Sequence, residues 1–430
     1  MRPSGMLSAA IEILSDIETR HRTAASALSD WGRAHRFAGS GDRAAIGNLV
    51  YDALRKKTSL AWYMGDDSPR ALAVGLMRFG WNMSADEVEA LCDGEKFSPE
   101  KLSDKERQAL EQGTLDEAPD WVCGDYPEFL ASSFAKAFGE RSAEEGAALA
   151  NRAPLDLRVN TLKSTSTKVL KALQRFKAEP TPLSPLGVRI KPGEGASRSP
   201  NVQAEAGFQK GWFEVQDEGS QLTALLAGAD PGSQVLDLCA GSGGKTLALA
   251  ALMENKGQIH AYDADRHRLA NIFDRLKRAG VRNSQVLTAG DETALAKLEG
   301  IMDLVLIDAP CSGAGAWRRR PDAKWRLTQQ ALEKRIDEQR QVLAQGAKHV
   351  KPGGRLVYIT CSVLPQENQD QAEWFLENNP GFNAVPVQNL WQESLGNMPM
   401  AGHEAGPGLL LTPATSNTDG FFITAFQLKQ

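Results

Sequence analysis

Two cysteines stand where two apolar runs end. Asp303-Leu-Val-Leu-Ile-Asp308 leads into Ala-Pro-Cys311-Ser-Gly313, and Arg355-Leu-Val-Tyr-Ile-Thr360 leads into Cys361-Ser362. Each run has the length and β-branched content of a buried strand, so each thiol falls where the backbone must leave a sheet. Two thiols and one carboxylate at the carboxyl ends of two strands suit covalent chemistry. A thiol attacks as the thiolate; its ordinary pKa is ~8.5, so the site must help it ionise. The bland alternative is that buried cysteines are small hydrophobes. It accounts for one such thiol and poorly for two at strand ends, one of them in Asp-Ala-Pro-Cys.

The elements that would carry these residues alternate. From Gly232 a strand is expected over 235–238, then a glycine turn, a helix over 246–253, a strand over 257–263 and a helix over 266–279. Strands over 284–287 and 303–308 follow, then a long amphipathic helix over 327–349 stopped by Lys351-Pro-Gly-Gly. A strand over 355–360, a helix opened by Pro365 and a last strand over 420–427 complete the series. Such alternation predicts an α/β domain with a doubly wound, mostly parallel sheet and ligands at the carboxyl ends of its strands.

The first strand-to-helix turn is Asp237-Leu-Cys239-Ala240-Gly241-Ser242-Gly243-Gly244-Lys245-Thr246. A phosphate-binding P-loop would need glycine where Cys239 stands, and a dinucleotide fingerprint would need it where Thr246 stands. The third reading is an S-adenosylmethionine (SAM) turn, in which Gly241 and Gly243 let the backbone approach the cofactor. Asp237 then suits the methionine ammonium, directly or by orienting the loop. Asp263, closing Ala261-Tyr-Asp, stands where a carboxylate accepts both ribose hydroxyls. Asp291 can hold the adenine amino group or cap a helix; the sequence favours neither.

Carbon 5 of cytosine is a poor nucleophile. A thiolate added at C6 turns the ring into an enamine whose C5 can take a methyl group, after which a base must remove the C5 proton. The scheme needs a nucleophile, a base and a group bonded to N3, and Cys311, Cys361 and Asp308 supply those types. The sequence resembles the RsmB/Sun-type (NOL/NOP/Sun) family of SAM-dependent RNA cytosine-5 methyltransferases. The resemblance covers roughly 118–430 and rests on Val215-Gln-Asp-Glu-Gly-Ser-Gln221, the turn 237–246, Asp308-Ala-Pro-Cys311, Thr360-Cys361-Ser362 and Asp419-Gly-Phe-Phe422. It implies a Rossmann-like class I methyltransferase sheet, Cys361 as nucleophile and Cys311 assisting release. Chemistry alone does not rank the two thiols. The resemblance also places Lys245 and Asp308 at the cytosine, and Cys239, Lys245, Asp263, Arg268, Asp291 and Asp308 on the cofactor side, with Ala240 to Gly244 forming the turn. Gly241-Ser242 replaces the Ala-Pro common in the family, which loosens the loop and removes no catalytic group. The implied partner is RNA, ribosomal RNA ahead of transfer RNA. A noncatalytic RNA-binding assembly factor and a P-loop NTPase are the rivals.

The chain has 430 residues, 42% hydrophobic and 24% charged, enough for two or three domains with full cores. Residues 1–82 read as helices and resemble a NusB-like RNA-binding domain. Arg33, Arg36 and Arg43 there are either a solvated face or phosphate contacts. Residues 83–117 read as an acidic linker or cover: 81–150 hold 6 Lys/Arg against 17 Asp/Glu. Residues 118–212 read as a small α+β RNA-binding domain and 213–430 as the catalytic domain. Trp317-Arg-Arg-Arg320-Pro-Asp-Ala-Lys324-Trp325-Arg326 suits an RNA backbone and stacked bases. The five cysteines (92, 123, 239, 311, 361) include no CxxC, so neither a zinc site nor a disulfide framework is expected. No apolar run reaches 18 residues and the first residues lack a secretory signal. A cytoplasmic monomer without membrane association is expected.

Overall fold

The computed structural model describes residues 1–198 and 200–430. They fold as two units, one of residues 1–153, 192–198 and 317–327, the other of 154–191, 200–316 and 328–430.

The first unit is helical. Pro3–Arg20, Ala24–Ala34, Ser40–Arg55, Lys57–Met64 and Pro69–Gly75 enclose a core that includes Leu7, Ile13, Ile46, Val50 and Leu72. Residues 83–117, expected as an acidic linker or cover, are ordered against the helical core. They form the helices Ala85–Leu91 and Asp104–Gln112, whose Val88 and Leu110 are buried in that same core. Part of their acidity is local chemistry. Glu87 and Glu106 complete capping boxes with Ser84 and Ser103, where a negative charge also suits the helix dipole. The helices Ala131–Phe138 and Ser142–Leu149 cluster with this unit, and the first strand of the small domain expected over 118–212 begins at Leu155.

The chain returns to the helical unit at 317–327. Trp317 is 1% exposed and stacks on Phe134, with ring centroids 6.3 Å apart; Phe134 stacks in turn on Tyr126. Lys324 is buried, donating to the carbonyls of Arg55 (2.9 Å) and Asp125, and burial pushes its pKa down to about 8. The Trp325 indole donates to the Leu54 carbonyl at 2.6 Å. The tryptophans and Lys324 are therefore core and anchoring residues. The reading of this stretch as an RNA-facing strip fails for them, because Trp317 is buried against Phe134 and the Trp325 indole and Lys324 ammonium donate to carbonyls inside the unit.

The second unit carries two sheets. The small one is antiparallel, in the order β2-β3-β1-β4, from β1 (Leu155–Val159), β2 (Glu179–Pro180), β3 (Gly187–Ile190) and β4 (Phe213–Val215). The helix Ser166–Ala172 lays Val169 on its apolar face, beside Leu157, Val159 and Val188. The polar side is equally ordered. Arg189 grips buried Asp156 with two 2.7 Å bonds and also reaches Glu218, a geometry that offsets the cost of burying charge.

The large sheet contains β5 (Gln234–Asp237), β6 (Gln258–Ala261), β7 (Ser284–Val286), β8 (Met302–Asp308), β9 (Val350–Thr360), β10 (Phe382–Val385), β11 (His403–Ala405), β12 (Gly408–Leu411) and β13 (Phe421–Leu428). Its order is β11-β12-β13-β9-β8-β5-β6-β7, with β10 also paired to β13. Strands β5 to β9 are mutually parallel, and β13 runs antiparallel to β9, β10 and β12. The Rossmann-like core expected from the alternation is present. The long helix ends at Ala347, ahead of Lys351-Pro-Gly-Gly, which lies within β9, where the register against β8 slips between Met302 and Leu304. Strands β10 to β12, of three or four residues each, are too short to show a period. No helix among the described residues is long and apolar enough to cross a membrane.

Truncating Trp317 to alanine removes a ring from the centre of the helical unit. We expect that unit to lose about 3–5 kcal/mol, measured as an earlier urea transition by circular dichroism. A loss below about 1 kcal/mol, the scale of surface substitutions, would place 317–327 outside the core.

Candidate active site

The site grows from adjacent parallel strands. In register, Ile307 lies beside Tyr358 and Asp308 beside Ile359, so the two chains leave the sheet side by side. Cys311 and Cys361 consequently meet, with their sulfurs 3.3 Å apart, and Ser312 and Ser362 meet behind them at 3.4 Å. Both thiols are partly exposed. The Cys361 sulfur and then burial hold the Cys311 thiol well above its ordinary pKa.

A buried carboxyl supports the Cys311 loop. Glu367 accepts from the Ser312 amide at 2.7 Å and from its hydroxyl, while Gln339 donates to Glu367 (3.1 Å) and to the Pro310 carbonyl (3.0 Å). Burial pushes the Glu367 carboxyl above the usual carboxylate range. Next to it, Asn368 donates to the Ser362 carbonyl and accepts from the Thr360 hydroxyl, fixing the Cys361 loop. Close backbone packing completes the pair of loops. The Gly315 amide donates to the Cys361 carbonyl, and the Gly420 amide to the Gly315 carbonyl. A Cβ on Gly315 would lie 2.0 Å from the Gly420 oxygen, so no other residue fits there.

Lys245 is the centre of the polar contacts. It stands in the first turn of the helix Gly244–Leu252 and is 3% exposed. A cation at a helix N-terminus opposes the dipole, so its position needs other partners. Its ammonium donates to Ser220 Oγ at 2.8 Å and to Asp308 Oδ2 at 3.2 Å, and lies 5.3 Å from the centre of the Phe421 ring. Phe421 comes from Asp419–Phe422 and Ser220 from Val215–Gln221, so three of the singled-out motifs converge on one ammonium. Asp217 ties the latter two together by accepting from the Asp419 amide at 3.1 Å. Ser220, Glu367 and Gln339 are residues that the sequence did not mark individually. Ser220 lay inside a quoted motif; the other two carried no signal, since their role depends on which loop passes over them.

The glycine turn is an open cradle. Gly241 (φ 52°) and Gly243 (φ 85°) take the left-handed conformation; a Cβ on Gly243 would meet Ile272 at 2.6 Å, whereas Gly244 faces open space. Cys239 is partly buried, Ala240 buried and Ser242 exposed, and burial holds the Cys239 thiol well above its ordinary pKa. Asp263 accepts from the Gly241 amide at 3.0 Å and from the Asp265 amide at 2.8 Å, so it joins the end of β6 to the turn. Asp237 is fully buried. Its Oδ2 accepts from the Thr246 hydroxyl at 2.6 Å, while Oδ1 finds no partner among the described residues. Burial pushes this carboxyl up to about 7. An unmatched buried carboxylate oxygen beside an open glycine turn fits a cationic group such as the methionine ammonium of SAM. Arg268 is exposed, 3.8 Å from Asp265, and Asp291 caps the helix Glu292–Ala296 by accepting from the Ala294 amide. Capping is thus the role visible for Asp291.

Comparison with known proteins points to a methyltransferase family. The family described as 16S rRNA methyltransferase RsmB/F matches residues 224–427, and an RsmF/B-like ferredoxin-like domain matches 126–194. A probable ribosomal RNA small subunit methyltransferase B of Synechocystis is 32% identical over 303 residues, 69% of this chain and 66% of that protein. The ribosomal RNA small subunit methyltransferase B of Salmonella paratyphi B is 36% identical over 259 residues, 60% of this chain and 58% of that protein. The match thus spans somewhat less than two thirds of these relatives. The crystal structure of PH0851 shares the fold with a TM-score of 0.74 at 24% identity, covering 100% of this chain and 99% of that one. Paired cysteine loops, the SAM-type turn and the matched regions lead to one assignment: the chain belongs to the RsmB/Sun family of methyltransferases.

Proposed function

We propose that the protein transfers a methyl group from SAM to carbon 5 of a cytosine in RNA, with small-subunit ribosomal RNA as the substrate. The observation that carries this is the meeting of two thiols at 3.3 Å beside the Lys245–Asp308 pair. SAM supplies an electrophilic methyl group. The rest of the chemistry belongs to side chains.

An unstacked cytosine enters beside the two strand ends. Cys361 adds to C6 as a thiolate, and N3, an acceptor, takes a proton delivered through Asp308, with Lys245 holding Asp308 in place. The resulting enamine makes C5 nucleophilic, and C5 takes the methyl group, leaving S-adenosylhomocysteine. Cys311 begins as the proton-bearing thiol, because the neighbouring Cys361 sulfur and burial both oppose its ionisation. Once the Cys361 sulfur is bonded to carbon, the larger of those influences is gone. Cys311 can then release its proton to solvent and, as thiolate, take the C5 proton; the C5–H electrons re-form the C5=C6 bond and Cys361 leaves as thiolate. The ranking of the two thiols rests on the family resemblance.

On the cofactor side, Asp237 receives the methionine ammonium, and Asp263 receives the ribose hydroxyls on the lone pairs its two amide donors leave. Residues 239–244 supply the close backbone approach. Arg268 lies at the exposed rim, and Asp291 acts through the loop it caps.

Cys361→Ala is expected to abolish both methylation and covalent RNA adducts, whereas Cys311→Ala should accumulate adduct, read by denaturing gel. Exchanged phenotypes would reverse the two roles. Bisulfite sequencing of total RNA with and without the gene tests the substrate; a site lost from transfer RNA alone would refute the ribosomal assignment. Cofactor binding should depend on pH. Asp237 attracts a cation only when ionised, so with its pKa near 7 SAM affinity should weaken as pH falls. The expected drop is about five- to tenfold between about pH 7.5 and 6, by calorimetry. Asp237→Asn should flatten that profile, and a flat wild-type profile would remove Asp237 from the ammonium.

A further inference from the structure

The Lys245 ammonium is also held by a chain of hydrogen bonds that no step above uses. Arg158 on β1 is buried, and its Nε donates to Gln216 Oε1 at 2.6 Å. Gln216 Nε2 donates to Ser220 Oγ at 3.1 Å, and Lys245 Nζ donates to the same Ser220 oxygen at 2.8 Å.

Chemistry fixes the direction of this chain. A guanidinium has no acceptor, so the Gln216 carbonyl must face Arg158 and its amide nitrogen must face Ser220. Lys245 is likewise only a donor. Ser220 Oγ therefore accepts twice, and its own proton points away from both. Neither end can reverse, so the arrangement has one polarity and little freedom. It is also anchored in a rigid frame. Arg158 is paired in register with Glu214 on β4, Gln216 follows β4 directly, and Ser220 opens the helix Glu218–Leu226.

A lysine side chain is long and flexible, and a salt bridge to a partly exposed carboxylate restrains it weakly. Asp308 is such a partner, at 35% exposure of its side chain. A second, hydrogen-bonded acceptor at 2.8 Å removes most of the remaining freedom. We propose that Ser220 is a positioning residue for Lys245, held by Gln216 and Arg158, so that the small sheet sets the geometry of the Lys245–Asp308 pair. This rests on the reading of that pair as the groups at the cytosine.

The test uses the full-length protein, labelled SAM and in-vitro-transcribed small-subunit ribosomal RNA. Ser220→Ala should lower kcat about 10–100-fold, the scale of one hydrogen bond to a charged group. The dissociation constant for SAM, the KM for RNA and the thermal midpoint should stay close to wild type. Ser220→Thr, which keeps the acceptor, should restore most of the rate. Gln216→Leu should also lower kcat, and the double variant Ser220→Ala/Gln216→Leu should be no slower than Ser220→Ala alone, because both act through one oxygen. Wild-type kcat in Ser220→Ala, or multiplicative losses in the double variant, would overturn the proposal.

A second readout needs no RNA. Acetylation of Lys245 by acetic anhydride, followed by mass spectrometry, should rise several-fold in Ser220→Ala and return to the wild-type rate in Ser220→Thr. An unchanged rate in Ser220→Ala would overturn the proposal by itself. Methylation found at a position other than cytosine C5 would defeat the proposed function, while the variant ratios and the acetylation rates would still judge the relay.

Discussion

A buried ammonium organises this molecule. Lys245 lies almost wholly out of water at the positive end of a helix, where burial and dipole both disfavour a cation. It is tolerable only because Asp308, Ser220 and the Phe421 ring surround it. Those partners come from the end of β8, the helix after β4 and the start of β13. Elements distant in sequence are thus brought to one point by the need to satisfy one charge. A residue that breaks a local rule in this way marks function better than a residue that obeys every rule.

Around that charge the two cysteine loops behave as a pair because their strands are neighbours in register. Parallel strands leaving a sheet side by side present their next residues to each other, so Cys311 meets Cys361 and Ser312 meets Ser362. The loops keep that alignment through buried groups, Glu367 under one and Asn368 under the other. The mutual approach of Gly315 and Gly420 leaves no room for a side chain. Proximity also differentiates the thiols. Two sulfurs in contact resist ionising together, so one can carry charge while the other keeps its proton.

The helical unit follows different physics. Its acidic helices look like a solvated spacer by composition, yet Val88 and Leu110 anchor them in a shared core. Its tryptophans at 317 and 325 look like stacking platforms by composition, yet Trp317 packs on Phe134 and the Trp325 indole donates to the Leu54 carbonyl. Composition reports what side chains can do. Burial decides which of those abilities is used.

The sequence by itself determined the Rossmann-like core, because strand and helix periods, the glycine turn and the strand-end acids are local patterns. It also determined which residue types could do chemistry: the grouping of Asp308, Cys311 and Cys361 was legible from their positions at strand ends, and Lys245 joined them through the family resemblance. Tertiary structure alone decided the rest. Strands β10 and β12 exist because β13 offers them partners, and β11 pairs in turn with β12. Asp237 acquires an unmatched oxygen through burial, Asp291 turns to a helix cap, and Glu367, Gln339 and Ser220 gain meaning only from the loops and charges packed against them. Each of these depends on contacts between residues far apart in the chain, and no local period encodes such a contact.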